Sequence, residues 1–138
     1  MAVVVERGVD FSMIDMANVA YYPRIYDLAH KCFEDAWPLL CGVTYPELVN
    51  ERRLGFPVVS VTSTFLAPIR YGDAISAEIT LTSLGTTSLG WRYEFRRQDR
   101  TVVWRSEQMT VCVNMDTMEK QKIPDDLRHD LTQHVEAR

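Results

Sequence analysis

The pattern of apolar positions changes from helical to strand-like near Gly55. Before that point, apolar residues recur every three or four positions, which predicts a helix of roughly four turns. Pro23 suits the first turn of this helix because its fixed φ is already helical. We expect Pro38 and Gly42 to end the helix. The residues of the apolar stripe are Ile25, Leu28, Ala29, Cys32, Phe33 and Ala36.

The remainder of the chain is rich in predicted strands. In one of these runs Ile75, Ala77 and Ile79 alternate with polar residues, which is typical of a half-buried strand. Short turns join the runs, and short turns favour antiparallel pairing because parallel neighbours need long crossovers. Strands are expected at 3–11, 58–69, 75–82, 89–97 and 102–115, with short helices at 45–53 and 125–135.

This order of elements predicts an α+β fold in which the long helix packs on one face of an antiparallel sheet. No repeat or low-complexity linker divides the sequence, so we expect a single domain over residues 1–138. Five strands and one helix leave sheet edges uncovered, and this favours a homodimer.

Composition and charge exclude several classes of protein. The chain is 46% hydrophobic and 25% charged, as globular domains are, and its net charge of −4 argues against a nucleic-acid-binding protein. The cysteines Cys32, Cys41 and Cys112 form no C-x-x-C pair, which favours buried thiols in a reducing compartment. We find neither a signal-peptide pattern nor a membrane-spanning run, and we expect a cytoplasmic protein that does not bind a membrane.

The motifs of several common enzyme classes are missing. The sequence has no G-x-S-x-G nucleophile elbow and no H-E-x-x-H zinc motif, so we expect neither serine-hydrolase nor metal chemistry. Gly85 and Gly90 have the spacing of a P-loop, but Trp91 stands where the phosphate-binding lysine is required. These glycines are better explained by a turn between two strands.

A carboxylate just before the long helix is the best candidate for catalysis. Asp15 precedes Pro23 by eight residues, and the intervening segment is almost uncharged. If the helix opens at 21–23, its first N–H groups have no intrahelical partner and lie at the positive end of the helix dipole. An acid beside such donors is a minimal site for acyl transfer. The alternative is that Asp15 is only a turn or capping residue.

Two segments resemble the signature of the 4-hydroxybenzoyl-CoA thioesterase family, which has the hotdog fold. The first segment, 11–26, surrounds that family's catalytic aspartate, and the second, 68–73, resembles its P-x-x-x-G-D turn before a long strand. A late Ile123-Pro124 also has a counterpart. The matching positions of the first segment are Asp15, Val19 or Ala20, Tyr22, Pro23 and Tyr26.

The resemblance implies a five-stranded antiparallel sheet wrapped around one long central helix, and a homodimer with active sites at the subunit interface. It implies hydrolysis of an acyl-CoA thioester, without a cofactor, by Asp15 acting as nucleophile or general base. The backbone N–H of Tyr22 falls on the group that polarises the thioester carbonyl. Whether the dimer pairs into a homotetramer, and whether the acyl group is carried by CoA or by an acyl-carrier protein, stay open.

Further residues are candidates for substrate binding. Lys120 and Lys122 fall near a basic site that meets CoA phosphates in the family, although exposed surface lysines are the alternative explanation. A second basic cluster of the family has no counterpart, because the matching stretch 84–88 carries no positive charge. Asn18 replaces a family glycine and tolerates a left-handed backbone, or its amide contacts substrate. Tyr21, Tyr22 and Ser63 are candidates for the wall of the acyl pocket.

Two other functions compete with hydrolysis. A hotdog dehydratase pairs an acid with a histidine near the helix start, and no histidine occurs before Ile25. His30 is better explained by an i,i+4 contact with Glu34 than by catalysis. The third hypothesis is a non-catalytic domain that binds an acyl thioester, and it is motivated by the missing basic cluster.

Overall fold

The computed structural model describes residues 2–137 and contains two α-helices and seven strands within them. The helices are α1 (Tyr22–Cys41) and α2 (Asp125–Thr132), with a short 3-10 helix at Phe11–Met13 and a π-helical segment at Glu47–Glu51. The strands are β1 (Val3–Gly8), β2 (Leu54–Gly55), β3 (Val58–Phe65), β4 (Ala74–Leu84), β5 (Ser88–Arg96), β6 (Val102–Val111) and β7 (Val113–Asn114).

Five strands form one antiparallel sheet in the order β1-β4-β5-β6-β3. The hairpins β4–β5 and β5–β6 are formed by neighbours in sequence, as their short turns predicted. Strands β2 and β7 make a separate antiparallel pair that the sequence pattern did not reveal. Two-residue strands carry no recognisable period, which explains why this pair was missed.

Helix α1 packs on one face of the main sheet through its predicted apolar stripe. The ring of Phe33 lies 5.3 Å from that of Trp91 on β5, and Tyr26 lies 5.7 Å from Trp104 on β6. The helix-facing positions of β5 alternate with charged residues on the opposite face, which is the period-two pattern of a half-buried strand. The buried residues of α1 are Ile25, Leu28, Ala29, Cys32, Phe33, Ala36, Trp37 and Leu40.

The end of α1 differs from the expectation. Pro38 lies inside the helix, which continues to Cys41 and ends where Gly42 adopts a left-handed φ of 68°. A proline removes the hydrogen bond to the carbonyl four residues earlier, but burial of Trp37 and Leu40 stabilises the last turn. Gly42 donates its N–H to the Pro38 carbonyl at 3.0 Å and caps the helix as predicted.

The boundaries of two strands also differ from the prediction. The first strand stops at Gly8 rather than at Phe11, which begins the 3-10 helix. The predicted last long strand is divided at Cys112, whose N–H donates to the Thr87 carbonyl at 2.7 Å instead of to a neighbouring strand.

Strand β3 is the exposed edge of the sheet beyond β6. Its burial pattern has exposed residues at every position except Ser63, and Val58, Val59 and Val61 expose apolar surface. On the other edge, β1 alternates buried valines with exposed residues. The β3 edge is therefore apolar and has hydrogen-bonding groups without a neighbouring strand.

No helix within residues 2–137 combines the length and the apolar character that a membrane span requires.

Candidate functional site

The segment before α1 folds into a tight loop that starts at Asp15. The Asp15 N–H donates to the Val19 carbonyl at 3.1 Å, and the Asn18 N–H donates to the Asp15 carbonyl at 3.1 Å. Ile14 and Ala20 form an isolated antiparallel bridge at the base of the loop. Asn18 has a φ of 63°, so the residue replacing the family glycine adopts the left-handed conformation that the sequence suggested.

Two backbone hydrogen bonds fix this loop against the rest of the fold. The Ala20 N–H donates to the Ile69 carbonyl at 2.7 Å, and the Tyr21 N–H donates to the Met13 carbonyl at 2.9 Å. The first bond joins the loop to the segment between β3 and β4. The Asp15 loop therefore starts α1 in a defined position beside that segment.

The carboxylate of Asp15 is exposed, and only one of its two oxygens accepts a hydrogen bond from the described residues. Its Oδ1 accepts the N–H of Ala17 at 2.8 Å, which is the turn role considered as the alternative to catalysis. Its Oδ2 has no hydrogen-bond partner among residues 2–137. One oxygen thus stabilises the loop, and the other is left without a partner in this part of the chain.

Helix α1 begins at Tyr22, as predicted, with Tyr21 as its N-cap. The cap makes no side-chain hydrogen bond, Pro23 has no N–H, and the Arg24 N–H donates to the Tyr21 carbonyl at 2.8 Å. The backbone N–H of Tyr22 has no acceptor within the described part of the chain. It is a donor at the positive end of a 20-residue helix, where a developing negative charge is stabilised.

A cavity of about 410 Å³ opens at this helix start, and we call it the mouth cavity. Tyr22 and Ile25 line it from α1, and Phe65 lines it from the end of β3. Asp15 does not line the mouth cavity, but Val19 and Ala20 at the other end of its loop do. The complete lining is Val19, Ala20, Tyr22, Ile25, Phe65, Leu66, Ala67, Pro68 and Ile69.

The other predicted site residues fall in three places. Tyr21 is exposed, with its ring 5.5 Å from that of Tyr22, and Asn18 is exposed on the loop. Ser63 lies at the helix-facing side of β3, where its hydroxyl is 2.8 Å from that of Ser106. Of Tyr21, Tyr22 and Ser63, the candidates for the pocket wall, only Tyr22 lines the cavity at the helix start.

The two lysines lie at the opposite end of the sheet. Lys120 forms a bridge with Val113, just beyond the last residue of β6, whereas Tyr26 beside the helix start contacts Trp104 near the first residue. The intervening residues of β6 span roughly 25–30 Å. Lys122 is exposed and lies 3.7 Å from Asp125. Within a single chain, the structure does not bring these lysines to Asp15 and Tyr22.

Residues explained structurally in the sequence analysis behave as expected. His30 Nε2 lies 3.3 Å from Glu34 on the same helix, and Gly85 lies in the turn between β4 and β5. Burial raises the pKa of the Cys32 and Cys41 thiols to about 12, so these groups are not thiolates near neutral pH. Within residues 2–137, no group of three acidic, histidine or cysteine side chains is arranged to hold a metal ion.

A second cavity lies further along α1, and its lining includes Tyr93, Gln108 and Thr110, which were not singled out from the sequence. A signal for two of them existed, because Ser106, Gln108 and Thr110 share the helix-facing parity of β6 with Trp104. Polar residues on the buried face of a strand are more informative than apolar ones.

Residues 9–131 match the model of the thioesterase-like superfamily. The chain belongs to this superfamily. The 1,4-dihydroxy-2-naphthoyl-CoA hydrolase of Nostoc punctiforme is 23% identical over 92% of this chain and 84% of its own length. These matches confirm the predicted enzyme class, a thioester hydrolase. Membership of the narrower 4-hydroxybenzoyl-CoA thioesterase family stays a prediction.

Solved structures agree with the fold. A thioesterase-superfamily protein from Jannaschia sp. CCS1 has a TM-score of 0.91 at 23% identity and covers 99% of this chain and 94% of its own. A hypothetical protein from Staphylococcus aureus, solved in complex with CoA, has a TM-score of 0.79 at 15% identity, covering 100% of this chain and 88% of its own. The predicted hotdog thioesterase fold is therefore confirmed.

Proposed function

We propose that this thioesterase-superfamily protein hydrolyses acyl-CoA thioesters at the start of α1. The observation that carries the proposal is the unpaired Tyr22 N–H, which belongs to a residue lining the mouth cavity and follows the loop that carries Asp15. The named substrate of the Nostoc relative and the CoA bound to a structural neighbour support CoA rather than an acyl-carrier protein.

In this proposal, the thioester carbonyl oxygen accepts a hydrogen bond from the Tyr22 N–H. This hydrogen bond becomes stronger as the carbonyl oxygen becomes a tetrahedral oxyanion. One such N–H donor contributes about 2.7–4 kcal/mol to transition-state stabilisation. The donor is fixed before the substrate arrives, because the Ala20 and Tyr21 hydrogen bonds position the first turn. No reorganisation of the backbone is then needed during the reaction.

Asp15 acts through its free oxygen in one of two ways. As a nucleophile it attacks the carbonyl carbon, the C–S bond breaks, CoA leaves as the thiolate, and water then hydrolyses the acyl-aspartate anhydride. As a general base it takes a proton from water while the water oxygen attacks the same carbon; the C–S bond then breaks and Asp15 returns the proton to the CoA thiolate. Both routes give a carboxylic acid and CoA, and neither needs a cofactor or a metal ion.

We propose that the active unit is a homodimer paired through the β3 edges. This edge exposes valines and unpaired backbone groups, and a two-fold axis across it pairs the strands antiparallel. Antiparallel pairing brings the Val58 end of one β3 beside the Phe65 end of the other. The mouth cavity of each subunit is then completed by its partner.

The same symmetry gives the lysines a role. The Val58 end of β3 adjoins the β2–β7 pair, since the Val111 N–H donates to the Pro57 carbonyl at 3.1 Å and Val113 bridges Lys120. In the proposed dimer, Lys120 and Lys122 of one subunit approach the mouth cavity of the other. They would there meet the phosphates of CoA while the thioester lies at Tyr22.

The decisive experiment compares wild-type protein with Asp15→Asn on a panel of short, long and aromatic acyl-CoA thioesters. Asparagine keeps the oxygen that accepts the Ala17 N–H, so the loop is preserved while the negative charge is lost. We expect kcat to fall by about 10²–10⁴-fold. Asp10→Asn is the matched control, because Asp10 is exposed nearby and its side chain makes no capping bond.

Retention of activity within a few-fold by Asp15→Asn contradicts the catalytic role of Asp15. Binding of acyl-CoA by wild-type protein without turnover across the panel contradicts the proposed hydrolysis and favours a non-catalytic acyl-thioester-binding domain.

A further inference from the structure

A second cavity lies further along α1 beneath the helix, and we call it the inner chamber. Its volume is about 230 Å³. The rings of Tyr26 and Phe65 are 6.2 Å apart and stand between the two cavities, since Phe65 lines the mouth cavity and Tyr26 the inner chamber. The chamber is lined by Tyr26, Ala29, His30, Phe33, Val58, Val61, Tyr93, Gln108 and Thr110.

The hydroxyl of Tyr93 is an unpaired polar group in this chamber. The residue is only 2% exposed, and its hydroxyl makes no hydrogen bond to any residue in 2–137. Buried tyrosines normally direct the hydroxyl to a partner. Burial raises the pKa of Tyr93, so the phenol stays protonated and remains a hydrogen-bond donor.

Gln108 presents an acceptor to the same chamber. The Ser106 hydroxyl donates to the Thr62 carbonyl at 3.2 Å and therefore accepts from the Gln108 Nε2, also at 3.2 Å. This arrangement fixes the orientation of the amide, because the Ser106 oxygen has no second proton to give. The Gln108 Oε1 is left without a partner among the described residues.

Thr110 adds a further polar group at the chamber. Its Oγ1 accepts the Trp91 Nε1–H at 3.0 Å, and its own hydroxyl proton has no acceptor in the described part of the chain. The opposing walls are mostly apolar, with Ala29 and Phe33 of α1 and Val58 and Val61 of β3, although Tyr26 and His30 of α1 also line them. Apolar walls with a few convergent polar groups are typical of a ligand site.

The chamber lies within reach of a thioester placed at the helix start. Along the helix axis, Tyr26 is about 6 Å and Ala29 about 10 Å from Tyr22 at 1.5 Å per residue. An acyl group whose carbonyl meets the Tyr22 N–H thus enters the chamber only if it extends past the Tyr26–Phe65 pair.

We propose that the inner chamber binds the end of the acyl group farthest from the thioester, and that Tyr93 and Gln108 select an uncharged hydroxyl there. The inference rests on the proposed hydrolysis at the mouth cavity. A hydroxyl accepts from the Tyr93 O–H and donates to the Gln108 Oε1, so it satisfies both groups. No lysine or arginine lines the chamber, and the imidazole of His30, which does, lies 3.3 Å from the Glu34 carboxylate, so a second carboxylate at this position is disfavoured.

The test uses pairs of bicyclic aryl-CoA thioesters that differ only by a hydroxyl on the ring farther from the carbonyl. We expect wild-type kcat/KM to favour the hydroxylated member by about 10- to 100-fold. Tyr93→Phe and Gln108→Met, which nearly preserve side-chain volume, should reduce this ratio to within a few-fold of unity. Tyr71→Phe is the matched control, because Tyr71 is exposed outside the chamber, and it should keep the wild-type ratio.

Binding of non-hydrolysable thioether analogues of the same pairs separates this inference from the proposed hydrolysis. Loss of turnover on every thioester, with the hydroxyl preference retained in the dissociation constants and lost in Tyr93→Phe, contradicts hydrolysis but supports the chamber assignment. Equal dissociation constants for the two analogues, or an unchanged ratio in both folded variants, overturns the assignment. Thermal unfolding verifies that each variant is folded.

Discussion

The mouth cavity and the inner chamber differ in the source and burial of their polar groups. At the mouth, the candidate groups are a backbone N–H and a loop carboxylate, both near exposed residues. In the chamber they are side chains of β5 and β6, and Tyr93 and Thr110 are almost completely buried. Chemistry on a thioester requires access for CoA and water, whereas discrimination by hydrogen bonds is strongest where water is excluded.

The boundary between the two regions shows the same contrast within one aromatic cluster. Phe65 is 48% exposed on the edge strand, while Trp104 is fully buried, although their ring centroids are 6.3 Å apart. The sheet side of this cluster, at Trp104, is therefore part of the core of one chain, whereas the β3 edge, including Phe65 and the chamber residues Val58 and Val61, exposes apolar surface.

The largest expected effect is on stability, through truncation of these two aromatic residues. Trp104→Ala leaves a core cavity and should lower the free energy of unfolding by about 3–5 kcal/mol. Phe65→Ala removes a half-exposed ring and should cost about 1 kcal/mol in the monomer. Urea unfolding of both variants measures the difference. Equal losses would remove the distinction between the mouth side and the core side.

The second prediction concerns the proposed partner subunit at the mouth cavity. Val59→Lys places a charge on the exposed β3 edge without altering a residue that lines either cavity, and should disrupt edge pairing. We expect the Val59→Lys variant to sediment as a monomer. Its kcat/KM should fall by about 10- to 100-fold, which corresponds to about 1.4–2.7 kcal/mol of transition-state stabilisation. Val4→Lys on the opposite edge strand is the control. A fully active Val59→Lys monomer would show that one chain completes the mouth.

The smallest effect is expected from pH, and it concerns the chamber. Because burial raises the pKa of Tyr93, its protonation should not change between pH 6 and 9, and the preference for hydroxylated acyl groups should stay constant. The folded state keeps the proton that the unfolded state loses near pH 10, so this group makes stability fall as pH rises above about 10. The ratio of kcat/KM for a matched pair, measured across pH, provides the check. Loss of the preference as the pH is raised from 6 to 9 would mean that Tyr93 ionises within this range.

Much of the fold was predictable because it rests on local periodicity. The stripe from Ile25 to Ala36 identified α1, and the alternation through Trp91, Tyr93 and Phe95 identified β5. Pro38 misled the prediction of the helix end, since a single unfavourable residue was outweighed by the burial of its neighbours. The β2–β7 pair was too short to show a period.

The candidate catalytic group was also accessible from the sequence, because Asp15, Tyr22 and Pro23 are close in the chain and the start of a helix has recognisable chemistry. The inner chamber was not, since Tyr93 and Gln108 come from different strands and meet α1 only after the sheet has formed. The location of the lysines at the opposite end of β6 was likewise invisible in the spacing of residues.

The sequence by itself determined the long helix, the succession of the five main strands along the chain and the loop that carries Asp15, because these depend on interactions between residues close in the chain. Only the tertiary structure decided which polar groups stay unpaired, since a hydrogen bond is satisfied or left open by whatever segment packs beside it. The Tyr22 N–H and the Tyr93 hydroxyl are both ordinary groups in the sequence. Their surroundings in the folded chain leave each without a partner, and this makes them candidates for binding a substrate.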